Sequence, residues 1–171
     1  MAQARKPAGT PQGGQFAASD ALATYKENAF VNDWLRGDRS PSAGDEKTNR
    51  VIIPALDNII ANSHTSKPVT VYRGYGTDEL QSLLNDKGIL SDKGYTSTSL
   101  DPSIARGFSP EMDAYVAKID LPAGHPAYQF PNDHQKEVLL PRGSKFRVNG
   151  INHQNKTINL VPHSTPVKAA A

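Results

Sequence analysis

The chain contains no cysteine among its 171 residues, so it can form neither disulfide bonds nor thiolate metal sites. It has no apolar run of membrane-spanning length, and its start (MAQARKPAGTPQGG) lacks the apolar segment of a signal peptide. The net charge is only +2, which does not indicate nucleic-acid binding without a cluster of Lys and Arg. These absences predict a protein that works in a reducing cytoplasm, either of the producing cell or of a target cell into which it is delivered.

The composition is that of an ordinary globular domain, with 37% hydrophobic and 21% charged residues. Residues 1–18 are rich in Gly, Ala, Gln and Pro and show no apolar period, which predicts a disordered leader. Residues 163–171 predict a similarly disordered tail. A single catalytic domain is therefore expected over residues 19–162, long enough to bury a core.

Within this domain the pattern changes from helical to extended along the chain. Ser19 is expected to cap a first helix that Gly37 closes. A second apolar stripe begins at Val51, and Pro54 within it indicates either a kink or the start of a helix. Short helices are predicted over 78–84 and 101–108, and strands over 69–74, 94–99, 115–121, 137–140, 145–148 and 157–161. Helices first and strands later predict an α+β fold rather than a doubly wound sheet.

The segment VTVYRG ends a predicted strand on arginine and glycine. Arg73 is a permanent, bidentate cation, and Gly74 lets a ligand approach the backbone closely, a combination that suits a diphosphate. Taken alone, the pair is more often a surface arginine followed by a turn glycine.

The segment GYTSTSLDP places three small hydroxyl residues, Ser97, Thr98 and Ser99, in a predicted strand. Alternate side chains point to opposite faces, and an inward hydroxyl can orient another polar group because it both donates and accepts. Hydroxyl residues are also common in ordinary strands and helix caps, so this signal is weak by itself.

The segment HQKEVLLPRG places Gln135 and Glu137 two residues apart, just before an apolar run. In a strand they would share a face. A carboxylate there is poorly solvated unless a cation arrives, as in NAD cleavage, where the ribose becomes oxocarbenium-like. At about 4 Å and an effective dielectric constant of about 20, the attraction between the carboxylate and the positively charged ribose is worth about 4 kcal/mol, or roughly a thousandfold in rate. Taken alone, Glu137 is better explained as a solvated residue at a strand start.

Taken in order, YRG, STS and QKEVLLPRG resemble the Arg-Ser-Glu class of bacterial mono-ADP-ribosyltransferases, which includes the Rho-modifying exoenzymes and the actin-modifying binary toxins. VNDWLRG in the first helix is similar to a further family motif, with Asn32, Leu35 and Arg36 in place. The resemblance covers about residues 21–161. It implies NAD as the substrate, no metal, and two packed small β-sheets that form a split NAD cleft with flanking helices.

The resemblance also implies a role for each matching residue. Arg73 would hold the NAD diphosphate, and the Gly74 backbone would receive the nicotinamide carboxamide. Ser97 would orient Glu137, and Glu137 would bind the ribose 2′-hydroxyl and stabilise the cationic sugar. Further NAD contacts are expected from Asn32 and Arg36 on the adenosine or phosphate side, from Thr98, and from Phe108 as the aromatic that stacks on nicotinamide. Phe108 is equally well explained as a core residue of a short helix.

Gln135 occupies the position at which arginine-modifying relatives have glutamate. An amide can neither attract nor deprotonate a guanidinium at neutral pH, but it can pair with another amide or with the edge of a base. The resemblance therefore implies a macromolecular acceptor, a protein Asn or Gln side chain rather than Arg, with guanine in a nucleic acid as the alternative. The preceding loop, residues 126–134, is expected to recognise the acceptor.

Two further functions remain open at this point: an NAD glycohydrolase toxin with water as the acceptor, and a catalytically silent nucleotide-binding module. The five histidines show no metal-ligand spacing and are expected in loops or on the surface. The leader's AGTPQGGQFA is similar to segments in proteins of high-GC Gram-positive bacteria and their phages. We expect a monomeric bacterial or phage toxin or effector with no membrane contact, accompanied by an antitoxin or a delivery partner.

Overall fold

The computed structural model describes residues 18–27, 30–37, 42–109 and 111–163. The chain divides into two compact units with the boundary between Ile59 and Ile60. The predicted leader and tail lie outside the described residues, except for Ala18, which begins the first helix, and His163.

The first unit is built from helices in its described part. Helices α1 (Ala18–Glu27) and α2 (Phe30–Arg36) occupy the region of the predicted first helix, and residues 28–29 between them lie outside the described residues. Gly37 follows α2 with φ of 78°, the left-handed conformation of a closing glycine. The predicted end of this region at Gly37 is confirmed.

The third helix, α3 (Ala43–Ala61), contains Pro54 in its interior. It begins at a reciprocal cap in which the Asp45 amide donates to Ser42 Oγ (3.2 Å) and the Ser42 amide donates to Asp45 Oδ2 (3.3 Å). The alternative that a helix starts at Pro54 is therefore wrong. The apolar stripe from which α3 was predicted begins only at Val51. The start of the helix before this stripe depends on the cap.

In its described part, the second unit combines one sheet with two short helices. Its strands are β1 (Val69–Tyr75), β2 (Ile89–Ser91), β3 (Thr96–Ser99), β4 (Tyr115–Leu121), β5 (Tyr128–Gln129), β6 (Glu137–Leu140), β7 (Lys145–Asn152) and β8 (Thr157–Pro162), and its helices are α4 (Thr77–Leu83) and α5 (Pro102–Arg106). The strand order is β2-β7-β8-β4-β1-β3-β6-β5, with β4 and β8 parallel and the other neighbours antiparallel. The predicted α+β class is confirmed, whereas β2 and β5 are too short to produce a periodic signal.

Few residues of β1 pair with β3. All seven residues of β1 are in register with β4, but the register with β3 is a single described pair, Tyr72 with Ser99. This junction divides the strands into a set of five and a set of three within one eight-stranded sheet, where the sequence predicted two packed small sheets. Arg73 and Gly74 follow Tyr72 directly on β1, so they lie just beyond the residue that pairs with β3.

The core of the second unit lies along β1, β4, β6 and β8. Alternate residues of β1 and β4 face it, as strand geometry requires. Buried members of this cluster include Val71, Tyr75, Ala117, Ile119, Leu140, Ile158 and Leu160. All four residues of β6 are buried, and the first of them is the carboxylate residue Glu137.

A buried histidine fastens the loop between β4 and β5. His125 lies in a loop, as the sequence predicted for the histidines, but it is only 6% exposed. Its backbone amide donates to Thr65 Oγ1 (3.0 Å), and its carbonyl accepts from the Thr65 amide (3.0 Å). Burial lowers the pKa of His125 from its ordinary value of 6.5, because the charged ring is poorly solvated there. His125 is therefore held in its neutral form near pH 7.

We expect His125 to make the protein less stable in mild acid. The unfolded chain binds a proton at this residue more readily than the folded chain, so this contribution is complete above the ordinary pKa and is lost as pH falls below it. His125→Gln should show a smaller fall in the free energy of urea unfolding between pH 7.5 and pH 5.5, both chosen to bracket about 6.5. The exposed His163→Gln variant is the control, and equal pH dependence in both variants would contradict the prediction.

Candidate active site

Arg73 is an almost buried cation held by three neighbours. It is 8% exposed, and Nη1 donates to the carbonyl of Ser97 on β3 (3.0 Å). Nη2 bonds Glu79 Oε1 on α4 (3.0 Å), and the guanidinium carbon lies 5.0 Å from the centroid of the Tyr75 ring. These contacts fix the plane of the guanidinium, which favours bidentate binding of an anion.

Glu79 was not predicted as a site residue. It lies in the first turn of α4 and its side chain is 28% exposed. Acidic residues are common in the first turn of any helix because of the helix dipole, so the sequence offers no signal that distinguishes this one. The contact with Arg73 depends on the path of the chain between β1 and α4.

Gly74 is required by close packing against α5. A Cβ atom at this position would lie 2.5 Å from the carbonyl oxygen of Ala105 and 3.0 Å from that of Arg106. The sequence predicted a close approach of a ligand to the Gly74 backbone; this contact stays a prediction, and the described close approach is that of the α5 backbone. The end of α5 is thereby held against β1, one residue from Arg73.

The hydroxyl residues of β3 fasten this strand to the segment that carries Glu137. Ser99 is in register with Glu137, and its Oγ donates to the carbonyl of Gln135 (2.7 Å). Thr98 is fully buried, and its Oγ1 donates to the carbonyl of Val138 (2.6 Å); its contact with NAD stays a prediction. Ser97 is half-buried and lies two residues before Ser99, on the same face and diagonal to Glu137.

Replacing Thr98 with Val should lower the free energy of unfolding by about 1 kcal/mol, because one buried hydrogen bond is lost. Thr96→Val on the same strand is the matched control. Thr96 is equally buried, but its Oγ1 has no hydrogen-bond partner among the described residues, so its replacement should be neutral or stabilising. Urea unfolding of both variants measures the difference, and equal losses would contradict the assignment.

Glu137 begins β6, and Gln135 lies outside the strand. Glu137 is 4% exposed, whereas Gln135 is exposed. Lys136 between them has φ of 49°, a left-handed conformation that is uncommon for a residue with a side chain. The prediction that Gln135 and Glu137 share a strand face is therefore wrong, because strand alternation ends at Glu137.

Asp133 holds this turn in place, and the sequence did not single it out. Its Oδ2 accepts from the Glu137 amide (3.1 Å), and its carbonyl accepts from the Lys136 amide (2.9 Å). The Lys136 carbonyl accepts from the Leu100 amide (3.1 Å), which follows β3. Left-handed backbone costs about 1–2 kcal/mol at a non-glycine residue, so these bonds stabilise a conformation that Lys136 would not adopt alone.

The structure brings three predicted residues onto neighbouring strands. Arg73 is on β1, Ser97 on β3 and Glu137 on β6, and these strands are adjacent in the sheet. Arg73 reaches β3 directly through its bond to the Ser97 carbonyl. An oriented cation and a buried carboxylate are thus separated by one strand of hydroxyl residues. Tyr72 is in register with Ser99, and Ser99 is in register with Glu137, so Arg73 lies one residue beyond the row that contains the carboxylate residue.

A model of the ADP-ribosyltransferase exoenzyme family matches residues 17–165 of the chain. The chain belongs to this family. It is accordingly an ADP-ribosyltransferase with NAD as its substrate.

Several known proteins share this fold. The chain is 26% identical to the epidermal cell differentiation inhibitor of Staphylococcus aureus, over 82% of this chain and 71% of that protein. The structure of C3stau2 from S. aureus with NAD has a TM-score of 0.65 and 23% identity, covering 87% of this chain and 88% of that one. Plx2a, an ADP-ribosyltransferase toxin from Paenibacillus larvae, has a TM-score of 0.64 and 23% identity, covering 86% of each chain. The predicted ADP-ribosyltransferase fold is confirmed.

The remaining predicted contacts of this ADP-ribosyltransferase lie in different places. Phe108 is half-buried and follows α5 in the second unit. Asn32 and Arg36 belong to α2 in the first unit, where Asn32 Nδ2 donates to the hydroxyl of Tyr25 (3.0 Å). Their contacts with NAD stay predictions.

Within the described ranges of this transferase, no group of three or more His, Cys, Asp or Glu residues is arranged to hold a metal ion. None of the helices in those ranges is long and apolar enough to cross a membrane.

Proposed function

We propose that this transferase is a mono-ADP-ribosylating bacterial toxin that modifies an amide side chain, Asn or Gln, of a protein. The observation that carries the proposal is the pairing of a buried carboxylate, Glu137, with an exposed amide, Gln135, across one left-handed residue. In this proposal the buried carboxylate acts in NAD cleavage, and the exposed amide meets the acceptor.

Arg73 and Glu137 have separate tasks in the proposed reaction. The Arg73 guanidinium binds the diphosphate of NAD in a bidentate manner. The bond between ribose C1′ and the nicotinamide nitrogen breaks, its electron pair leaves with neutral nicotinamide, and positive charge develops on the sugar. Glu137 accepts a hydrogen bond from the ribose 2′-hydroxyl and stabilises that charge. Burial strengthens this attraction, because little water is present to screen it.

The acceptor nitrogen then attacks C1′, and it loses one proton to water as the new C–N bond forms. Gln135 offers one amide oxygen and one amide NH₂ group, which match the donor and acceptor of another primary amide. A neutral Gln135 supplies no charge to attract a guanidinium. The adjoining Tyr128 and Phe130 rings pack edge to face, with centroids 5.1 Å apart, and stiffen the loop that precedes it.

Biotin-labelled NAD and bacterial lysate test this proposal. We expect protein to become labelled, the label to resist nuclease but not protease, and Glu137→Gln to label nothing. Label lost to nuclease would identify a nucleic-acid base as the acceptor. Rapid nicotinamide release without any labelled macromolecule would identify a glycohydrolase, and either result would overturn the amide proposal.

Gln135→Glu tests the assignment of the acceptor class. The new carboxylate should attract a guanidinium and help to deprotonate it, so the variant should gain transfer to agmatine. Wild-type protein should show no such transfer. Agmatine modification by the wild type at the same rate would contradict the role assigned to Gln135.

A further inference from the structure

The loop that leads from α5 to β4 is tied to the start of α4 by one side chain. Glu111 Oε2 accepts a hydrogen bond from the backbone amide of Thr77 (2.8 Å), the first residue of α4. The N-cap residue of α4 is Gly76, which cannot cap the helix with a side chain. The carboxylate of Glu111, 34 residues after Thr77, takes that place, and the helix dipole favours its negative charge.

Gly76 provides the space that Glu111 occupies. A Cβ atom at this position would lie 2.2 Å from Glu111 Oε1 and 2.3 Å from its Cδ. The backbone itself does not require glycine, because φ of −66° and ψ of 159° are accessible to any residue. An alanine here would displace the Glu111 carboxylate without straining the main chain.

The same helix also holds Arg73. Glu79 lies two residues after Thr77 and binds Arg73 Nη2 (3.0 Å). Glu111 and Arg73 are therefore both bound to the short helix α4. Glu111 contacts the backbone of this helix, and Arg73 contacts one of its side chains. A second bond, from Thr77 Oγ1 to the carbonyl of Asp113 (3.3 Å), fastens the loop further along.

Phe108 lies in this loop between two attachments. On one side is the end of α5, whose Ala105 carbonyl leaves no room for a side chain at Gly74. On the other side is Glu111 at the start of α4. One attachment is at Gly74 and the other is at the start of α4, and both are close to Arg73 in the chain. The same segment therefore holds the loop and the guanidinium.

We propose that Glu111 is a positioning residue for NAD binding, which keeps Phe108 and Arg73 in one arrangement before the substrate arrives. The inference rests on the proposed function, in which Arg73 binds the diphosphate, and on the predicted stacking of Phe108 on nicotinamide. A loop that is already ordered loses less conformational freedom on binding. The contact lies outside the reacting atoms, so its loss changes KM for NAD rather than kcat.

Steady-state nicotinamide release tests this role in three variants and a control. Glu111→Ala removes the acceptor and Gly76→Ala displaces it, and each should raise KM about fivefold, the factor expected for one lost helix cap, with kcat within about twofold. Glu111→Gln keeps an oxygen that accepts from the Thr77 amide and should restore KM close to the wild-type value. Gly150→Ala is the glycine control, because the nearest atom to its Cβ would be 3.7 Å away.

Hydrogen exchange of the Thr77 amide measures the contact without any turnover. Exchange should be faster in Glu111→Ala and Gly76→Ala than in the wild type and Glu111→Gln. Unchanged exchange, or unchanged KM in an active Glu111→Ala enzyme, would overturn the positioning role alone. A wild-type protein that releases no nicotinamide would overturn the proposed function, and the positioning role with it.

Discussion

Glu137→Gln is expected to slow nicotinamide release from NAD by roughly a thousandfold, while NAD affinity and thermal stability stay close to those of the wild type. A charge about 4 Å from the cationic sugar contributes about 4 kcal/mol at an effective dielectric constant of about 20. The amide has the shape of the carboxylate but lacks its charge. Because the charge on the sugar develops only in the transition state, the loss should appear in kcat.

Stability should be little affected because the main-chain bonds of Glu137 remain. Its amide still donates to Asp133 Oδ2 (3.1 Å), and its carbonyl still accepts from the Phe130 amide (3.0 Å). Single-turnover nicotinamide release and equilibrium NAD binding separate the two effects. Glu46→Gln is the matched control, since Glu46 is a half-exposed residue of α3 that pairs with Arg50. Wild-type turnover in Glu137→Gln would remove this residue from the mechanism.

The parts of the site that sequence could predict are those determined by local pattern. An arginine and a glycine at the end of an apolar strand make Arg73 and Gly74 candidates, and a carboxylate before an apolar run makes Glu137 one; their order along the chain, which resembles the family pattern, selects them. Strand periodicity also places Ser97 and Ser99 on one face. Each pattern extends over a few neighbouring residues, so it is visible in a short window, but none of them is specific by itself.

The residues that sequence missed act across turns or between distant segments. Glu79 reaches Arg73 from the helix that follows β1, and Glu111 reaches Thr77 across 34 residues. Asp133 matters because Lys136 adopts φ of 49°, a conformation that no local propensity favours. The same conformation explains why the prediction for Gln135 was wrong. The strand begins at Glu137, but the prediction extended strand alternation back to Gln135.

Arg73→Lys is expected to raise KM for NAD by about tenfold or more, although the positive charge is kept. The guanidinium meets the Ser97 carbonyl and Glu79 at the same time, each at 3.0 Å, and must still present a flat donor pair to the diphosphate. An ammonium is a point charge that cannot reproduce this fork, and losing one bidentate contact costs at least about 1.4 kcal/mol, which corresponds to about tenfold in affinity.

Glu79→Gln separates the orientation of the guanidinium from its charge. The amide oxygen can still accept from Arg73 Nη2, so the fork stays in place, and KM should change by less than in Arg73→Lys. NAD titration calorimetry measures both affinities without turnover. A wild-type Kd in Arg73→Lys would show that charge alone binds the diphosphate. A larger loss in Glu79→Gln than in Arg73→Lys would mean that α4, rather than the strand that carries Arg73, makes the principal contact with NAD.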